Sequence, residues 1–238
     1  MSIGLGTSLT KGVLATPSIV TDSLVLKHNY AAGGVVPVSD GAAYFGGANT
    51  DAVTGLGNCP TGSFSIVAWV NHNGINAETI YSANGYDSIN FRCTDTSAGK
   101  LQIFIGGAGK HGQTDSAHLT ANKWYHVAAT WVAGNNSPLL YVDGVLRASS
   151  KTGTFPPSIG ASAGVIGKMS DSVSNPFTGE ICNVGIWSGT ILTAPQIKSI
   201  MWKNYAGLTS SETTGLVSWW NLSADANDSH GSNNGTLS

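Results

Sequence analysis

Phe64-Ser65-Ile66-Val67-Ala68-Trp69-Val70 decides the fold class. Successive side chains of an extended chain point to opposite faces, so Phe64, Ile66, Ala68 and Val70 share one face while Val67 and Trp69 share the other. Bulk on both faces marks a strand covered on both sides, at the centre of a sheet rather than at its edge. Trp124-Tyr125-His126-Val127-Ala128-Ala129-Thr130-Trp131 repeats the pattern, with Trp124, His126, Ala128 and Thr130 set against Tyr125, Val127, Ala129 and Trp131. Downstream, Leu139-Leu140-Tyr141-Val142 and Val145-Leu146-Arg147-Ala148 flank Asp143-Gly144, the dipeptide that specifies a two-residue type I′ hairpin. Leu101-Gln102-Ile103-Phe104-Ile105 runs into the glycine-rich stretch 106–112, which supplies the positive φ values of a reversal between strands.

Helical signals are confined to one place. Thr193 and Gln196 form a capping box, Pro195 sits in the first turn where its missing N–H is harmless, and Ile197, Ile200 and Met201 make an apolar stripe. This predicts one short helix near 194–204 lying on the sandwich. With no other helical period, crossover-built parallel sheets are excluded, and the expected fold is all-β, a two-sheet antiparallel sandwich. Trp69, Trp124, Trp131 and Trp187 are assigned to its core.

Composition sets the outer limits. Hydrophobic residues make up 41% of the 238 and charged residues only 10%, against roughly 25% charged in an average soluble protein. Eleven basic residues oppose thirteen acidic ones with no basic cluster, which leaves no footprint for a nucleic acid backbone. Met1 to Thr10 has neither a basic n-region nor a continuous apolar run, and no later stretch approaches the length of a membrane span. Cys59, Cys93 and Cys182 are odd in number and lack metal spacing, so they read as small core residues.

The five segments Phe64–Val70, Trp124–Trp131, Leu140–Gly144, Phe177-Thr178-Gly179-Glu180-Ile181 with Val184 and Ile186, and Leu192-Thr193 with Gln196-Ile197 come in an order that resembles the laminin-G-like, concanavalin-A-like jelly-roll superfamily. The resemblance covers roughly residues 40–205 and implies a jelly roll. An opening motif, Phe45-Gly46-Gly47-Ala48-Asn49-Thr50-Asp51, carries Gly46 where the family commonly has an acidic residue, which weakens a family-type calcium site. The stretch Gly215 to Leu222, with Trp219 and Trp220, resembles a customary opening strand placed late in the chain. Residues 1–22 are read as an N-terminal arm, 23–208 as the jelly roll, and 209–238 as a segment that completes a sheet of its own or a neighbouring sandwich.

Chemistry is sparse. The three glutamates, Glu78, Glu180 and Glu212, lie far apart, so the clustered carboxylates with which some relatives cleave β-glucans are missing. Gly160-Ala161-Ser162-Ala163-Gly164 matches a nucleophile-elbow pattern but precedes Val165-Ile166 in a β region rather than a helix. No enzyme is expected. Asp40, Asn49 and Asp51 are the candidate ligands for a possible calcium ion, the only cofactor considered. Tyr86 and Asp87, in Asn84-Gly85-Tyr86-Asp87, together with His111, are the candidate glycan contacts, pairing aromatic faces with polar groups.

A surface poor in charge is cheap to bury against other proteins. With the terminal arms and a looser resemblance to laminin-G-like structural proteins of tailed phages, this gives the main functional expectation, a non-catalytic virion-surface assembly module. It would be made in the host cytoplasm without a signal peptide and would be homo-oligomeric, packed against other virion or surface proteins; otherwise it would be cytoplasmic, or extracellular by a non-classical route. The alternative is a lectin-like module for cell-surface glycans. Neither nucleic acid nor membrane insertion enters the expectation.

Overall fold

A computed structural model describes residues 37–73, 77–94, 99–134, 137–171 and 174–238. The expected arm, 1–22, and the first part of the expected jelly roll lie outside these residues. In chain order the strands are β1 (Ala43–Gly46), β2 (Val53–Thr54), β3 (Phe64–His72), β4 (Glu78–Ala83), β5 (Ile89–Cys93), β6 (Leu101–Ile105), β7 (His111–Thr114) and β8 (Trp124–Trp131). There follow β9 (Leu139–Val142), β10 (Val145–Arg147), β11 (Ser149–Thr152), β12 (Gly164–Ile166), β13 (Thr178–Ser188), α1 (Ala194–Ile200), α2 (Ser210–Thr213), β14 (Leu216–Trp220) and β15 (Thr236–Leu237).

They form two antiparallel sheets. One runs β1-β13-β3-β8-β9-β10, with β14 also paired to β13; the other runs β11-β7-β6-β5-β4-β12-β2-β15. The eleven-residue β13 holds β1 against its first half and β14 against its second. The sandwich expected from sequence is therefore present, and β3 and β8 are its central strands, paired along their length from Phe64↔Trp131 to Asn71↔Trp124.

Alternation sorts the side chains as the sequence dictates. Phe64, Ile66, Ala68 and Val70 of β3 meet Val127, Ala129 and Trp131 of β8, and Ile80, Phe91, Ile103 and Ile105 from the facing sheet, in one buried core. On the opposite face of the seven-stranded sheet, Val67, Ala128, Tyr141, Trp187 and Trp219 are roofed by Leu192, Ile197 and Ile200. Helix α1 has the expected capping box, with the Thr193 hydroxyl accepting from the Gln196 amide and the Gln196 side chain accepting from Thr193 N. One more helical turn, α2, follows, closed by a second box between Thr209 and Glu212. Trp69 donates Nε1–H to Met201 O at 3.0 Å and Trp187 to Glu212 O at 2.7 Å, so each buried indole has the partner its N–H requires.

Two glycines are structural requirements. Asp143 and Gly144 adopt φ of 52° and 70° at the β9–β10 hairpin, the type I′ geometry expected from the dipeptide. At Gly185 a Cβ would lie 2.7 Å from Trp219 Cε3 and 2.9 Å from Trp187, so only glycine lets these two rings pack edge to face at 6.2 Å. The three cysteines are buried and unbonded, and burial pushes their thiols up, that of Cys182 to about 12.

The segment 216–238 stays with its own sandwich. After β14, Asp228 gathers the chain: its carboxylate accepts from Trp219 N (2.9 Å), His230 N (3.0 Å), Gly231 N (3.0 Å) and Asn233 N (3.1 Å). Burial alone would raise this carboxyl, but these amides hold it below the ordinary carboxylate range. Then β15 pairs with β2, and Ser238 bonds Ala52 O and Thr50 O. Among the described residues no helix is long and apolar enough to cross a membrane.

Candidate functional site

The outer face of the eight-stranded sheet carries two cross-strand rows of polar and aromatic side chains. Because Ile89, Phe91 and Cys93 of β5 and Leu101, Ile103 and Ile105 of β6 turn inward to the core, the residues between them must turn outward. Register then aligns Ser82–Asn90–Phe104–His111–Thr152 as one row and Thr79–Arg92–Gln102–Gln113–Ser150 as the next. Neighbouring strands sit about 4.8 Å apart, so each row is a continuous polar and aromatic strip.

Tyr86 is laid onto this strip by the β4–β5 turn, where Asn84 and Gly85 take positive φ and Gly107 N donates to Tyr86 O at 2.8 Å. Its ring lies 4.5 Å from that of Phe104, which in turn lies 4.9 Å from His111. The Arg92 guanidinium stands over both Tyr86 (5.6 Å) and Phe104 (4.7 Å). Its Nε donates to Gln102 Oε1 at 2.7 Å and Nη1 to the Tyr86 hydroxyl at 3.0 Å, and Gln102 Nε2 continues the chain to Gln113 at 3.0 Å. These bonds fix the plane of the cation. Burial, and secondarily the charge of Arg92, lowers the His111 pKa, so its imidazole is neutral at pH 7 and offers one donor and one acceptor. Beside Phe104, Asn90 is completely buried, and neither of its amide atoms has a hydrogen-bond partner among the described residues.

Of the expected glycan contacts, Tyr86 and His111 are brought together across Phe104, while Asp87 is exposed in the turn, its amide bonded to Asn84 O. The residues the sequence reading missed are Arg92, Gln102, Phe104, Gln113 and Asn90. Alternation in Leu101-Gln102-Ile103-Phe104-Ile105 already places Gln102 and Phe104 opposite the core-facing positions; what sequence could not supply was the register that sets them beside Arg92 and His111.

The expected calcium ligands lie on either side of β1. Asn49 and Asp51 share a turn after β1, where the Asp51 carboxylate accepts from Gly46 N (2.8 Å) and Ala48 N (3.4 Å) and Lys168 Nζ donates to Asn49 O at 3.0 Å. Asp40 precedes β1, at the other end of that extended strand, in a depression with Trp124 and Glu180. Among the described residues no three His, Cys, Asp or Glu side chains group as a metal site. Trp124 also departs from expectation: it is only half-buried, packed at the margin of the small cluster of Trp69, Cys182 and Met201.

Two of the three glutamates are ion-paired elsewhere. Glu78 lies 3.2 Å from His72 inside the sandwich, and Glu212 is held by Lys203 Nζ at 2.7 and 2.8 Å. Burial works against the Glu212 charge, but Lys203 and the Thr209 amide prevail and hold the carboxyl at about 2. Ser162 of the elbow-like pentapeptide lies in the loop before β12, its carbonyl accepting from Cys59 N.

Comparison with curated proteins finds no match. Among solved structures, a Bacteroides ovatus protein provisionally named as carbohydrate-binding aligns with a TM-score of 0.60 at 22% identity, over 82% of this chain. This chain spans only 57% of that one. A heptameric SAP-like pentraxin from Limulus polyphemus aligns with a TM-score of 0.52 at 15% identity, over 67% of this chain and 80% of its own. The CBM40 of a Ruminococcus gnavus IT-sialidase, bound to α2,3-sialyllactose, aligns with a TM-score of 0.51 at 14% identity, over 72% of this chain and 100% of its own. At these identities the likeness is one of fold. The sequence model of the concanavalin A-like lectin/glucanase superfamily, in its laminin-G form, matches residues 45–198, more than half of the chain, and with the jelly-roll sandwich already described this places the chain in that superfamily.

Proposed function

We propose that the protein is a non-catalytic carbohydrate-binding module, and that its glycan lies on the outer face of the eight-stranded sheet. The observation that carries this reading is the group of half-buried side chains around the buried Phe104 and Gln102: Tyr86 supplies aromatic surface to a pyranose, and His111, Arg92 and Gln113 supply imidazole, guanidinium and amide groups to its hydroxyls. Solved neighbours named for carbohydrate binding support the same class. Arg92 Nη2 makes no bond to another described residue, so the site favours sugars bearing a carboxylate over neutral ones. Packing on a virion, the first expectation from the sequence, draws no comparable support from these neighbours.

The test is a glycan array followed by calorimetry on the best binder, with Arg92→Ala and Gln113→Ala as variants. Each lost hydrogen bond or ion contact is worth about 1–2 kcal/mol, so Arg92→Ala should weaken binding about 5- to 30-fold with unchanged circular dichroism. An empty array at high protein density, or affinity untouched by both substitutions, overturns the assignment.

A further inference from the structure

The outer face of the other sheet holds a second arrangement with a different chemistry. Register aligns Tyr44 of β1, Glu180 of β13, Asn71 of β3 and Trp124 of β8 in one cross-strand row. At roughly 4.8 Å per strand the row is about 14 Å long, enough for more than one pyranose. Tyr44 is 73% exposed at one end and the half-buried Trp124 closes the other. Beside the row lies a depression of about 260 Å³ lined by Pro37, Ser39, Asp40, Ala42, Trp124 and Glu180. Two of its lining positions, Gly41 and Ala42, are small, which leaves room between the larger side chains around them.

Its charge is one-sided. Asn71 Nδ2 donates to Glu180 Oε2 at 3.0 Å, which orients that carboxylate. Neither Glu180 nor Asp40 is ion-paired among the described residues, where the two ion pairs are His72–Glu78 and Lys203–Glu212. Two carboxylates beside an indole attract a cation and repel an anion, and an aromatic face adds cation–π attraction. The width of the row suits a ring rather than a bare ion.

We propose that this depression is a second binding site, and that its ligand is an amino sugar: a pyranose resting against Trp124 whose protonated amine is received by Asp40 and Glu180. The site does not depend on the strip around Phe104, which lies on the opposite sheet. Its selectivity follows from charge, since N-acetylation leaves the ring and removes the cation.

The experiment follows the Trp124 indole N–H by NMR in the whole chain, assigned with Trp124→Phe, during titration with a fully deacetylated glucosamine tetramer and with its N-acetylated counterpart. The tetramer should shift the signal saturably and the acetylated form should not. Asp40→Asn and Glu180→Gln, both at surface positions, should each weaken the response at least five-fold, and Arg92→Ala should leave it unchanged. Absence of a saturable shift, equal response to the acetylated tetramer, persistence in both carboxylate variants, or loss in Arg92→Ala each overturns the proposal. Release of new reducing ends from the tetramer would also overturn it, because the carboxylates would then be cleaving the sugar rather than holding it.

Discussion

Acidification from pH 6.5 to 5 should cost the fold about 2 kcal/mol through one imidazole, that of His126. This ring sits mid-strand in β8, 1% exposed, 5.5 Å from the Trp69 ring and edge-on to it, with no hydrogen-bond partner at Nδ1. Asp143 places Oδ1 on the His126 backbone amide at 3.0 Å. Burial therefore lowers the imidazole pKa from 6.5 to about 3. Between those values the unfolded chain holds a proton the native protein cannot accept, so stability is full above pH 6.5 and falls by about 1.4 kcal/mol per unit as pH drops toward 3. Depressed carboxyls such as Glu212 and Asp228 lose their contribution as pH falls from the ordinary carboxylate range downward, and burial raises Asp143 toward the pH 6.5–5 window. His111 and His118 are also lowered but are far less buried, so the diagnostic quantity is a difference. Thermal unfolding of wild type and His126→Leu at pH 6.5, 5.75 and 5 should show the wild type losing about 4–8 °C more than the variant, at 2–4 °C per kcal/mol for a chain of this size. Identical losses in the two proteins would refute the neutral, buried imidazole.

Other outcomes follow from the same packing. Asp228→Ala orphans the amides of Trp219, His230, Gly231 and Asn233 together, and should cost roughly 2–4 kcal/mol in urea unfolding, with hydrogen exchange accelerated first at 228–234; a cost under 0.5 kcal/mol would show these bonds to be dispensable. All three thiols should resist a disulfide reagent in the native protein and react only on unfolding, since burial raises each of them. Rapid native labelling of Cys93 or Cys182 would contradict their placement.

What could be read from the chain was what local periodicity encodes. The faces of β3 and β8, the Asp143-Gly144 hairpin and the Thr193–Gln196 box each depend on residues within eight positions of one another, and all four stand in the structure. Trp124 was misjudged because alternation says which face a side chain takes but not how far along that face the cover extends; Trp124 lies at the margin of the Trp69–Cys182–Met201 cluster. The outer-face strip around Phe104 was half legible for a related reason. Tyr86 and His111 announce themselves as polar aromatics in turns, whereas Arg92 and Gln102 belong to the strip only through the β5–β6 register. The candidate calcium ligands show the same division, since Asn49 and Asp51 fall in one turn after β1 whereas Asp40 precedes that strand.

The run from Leu216 to Ser238 enters the structure on β13 of one layer and leaves it on β2 of the other. It works as a stitch through both plies of cloth. A protease nick in the preceding connector, near Gly215, would sever the covalent thread yet leave the piece in place, pinned by Trp219, Trp220 and the knot at Asp228. Its release would then report the opening of the whole sandwich, not the loss of a tail.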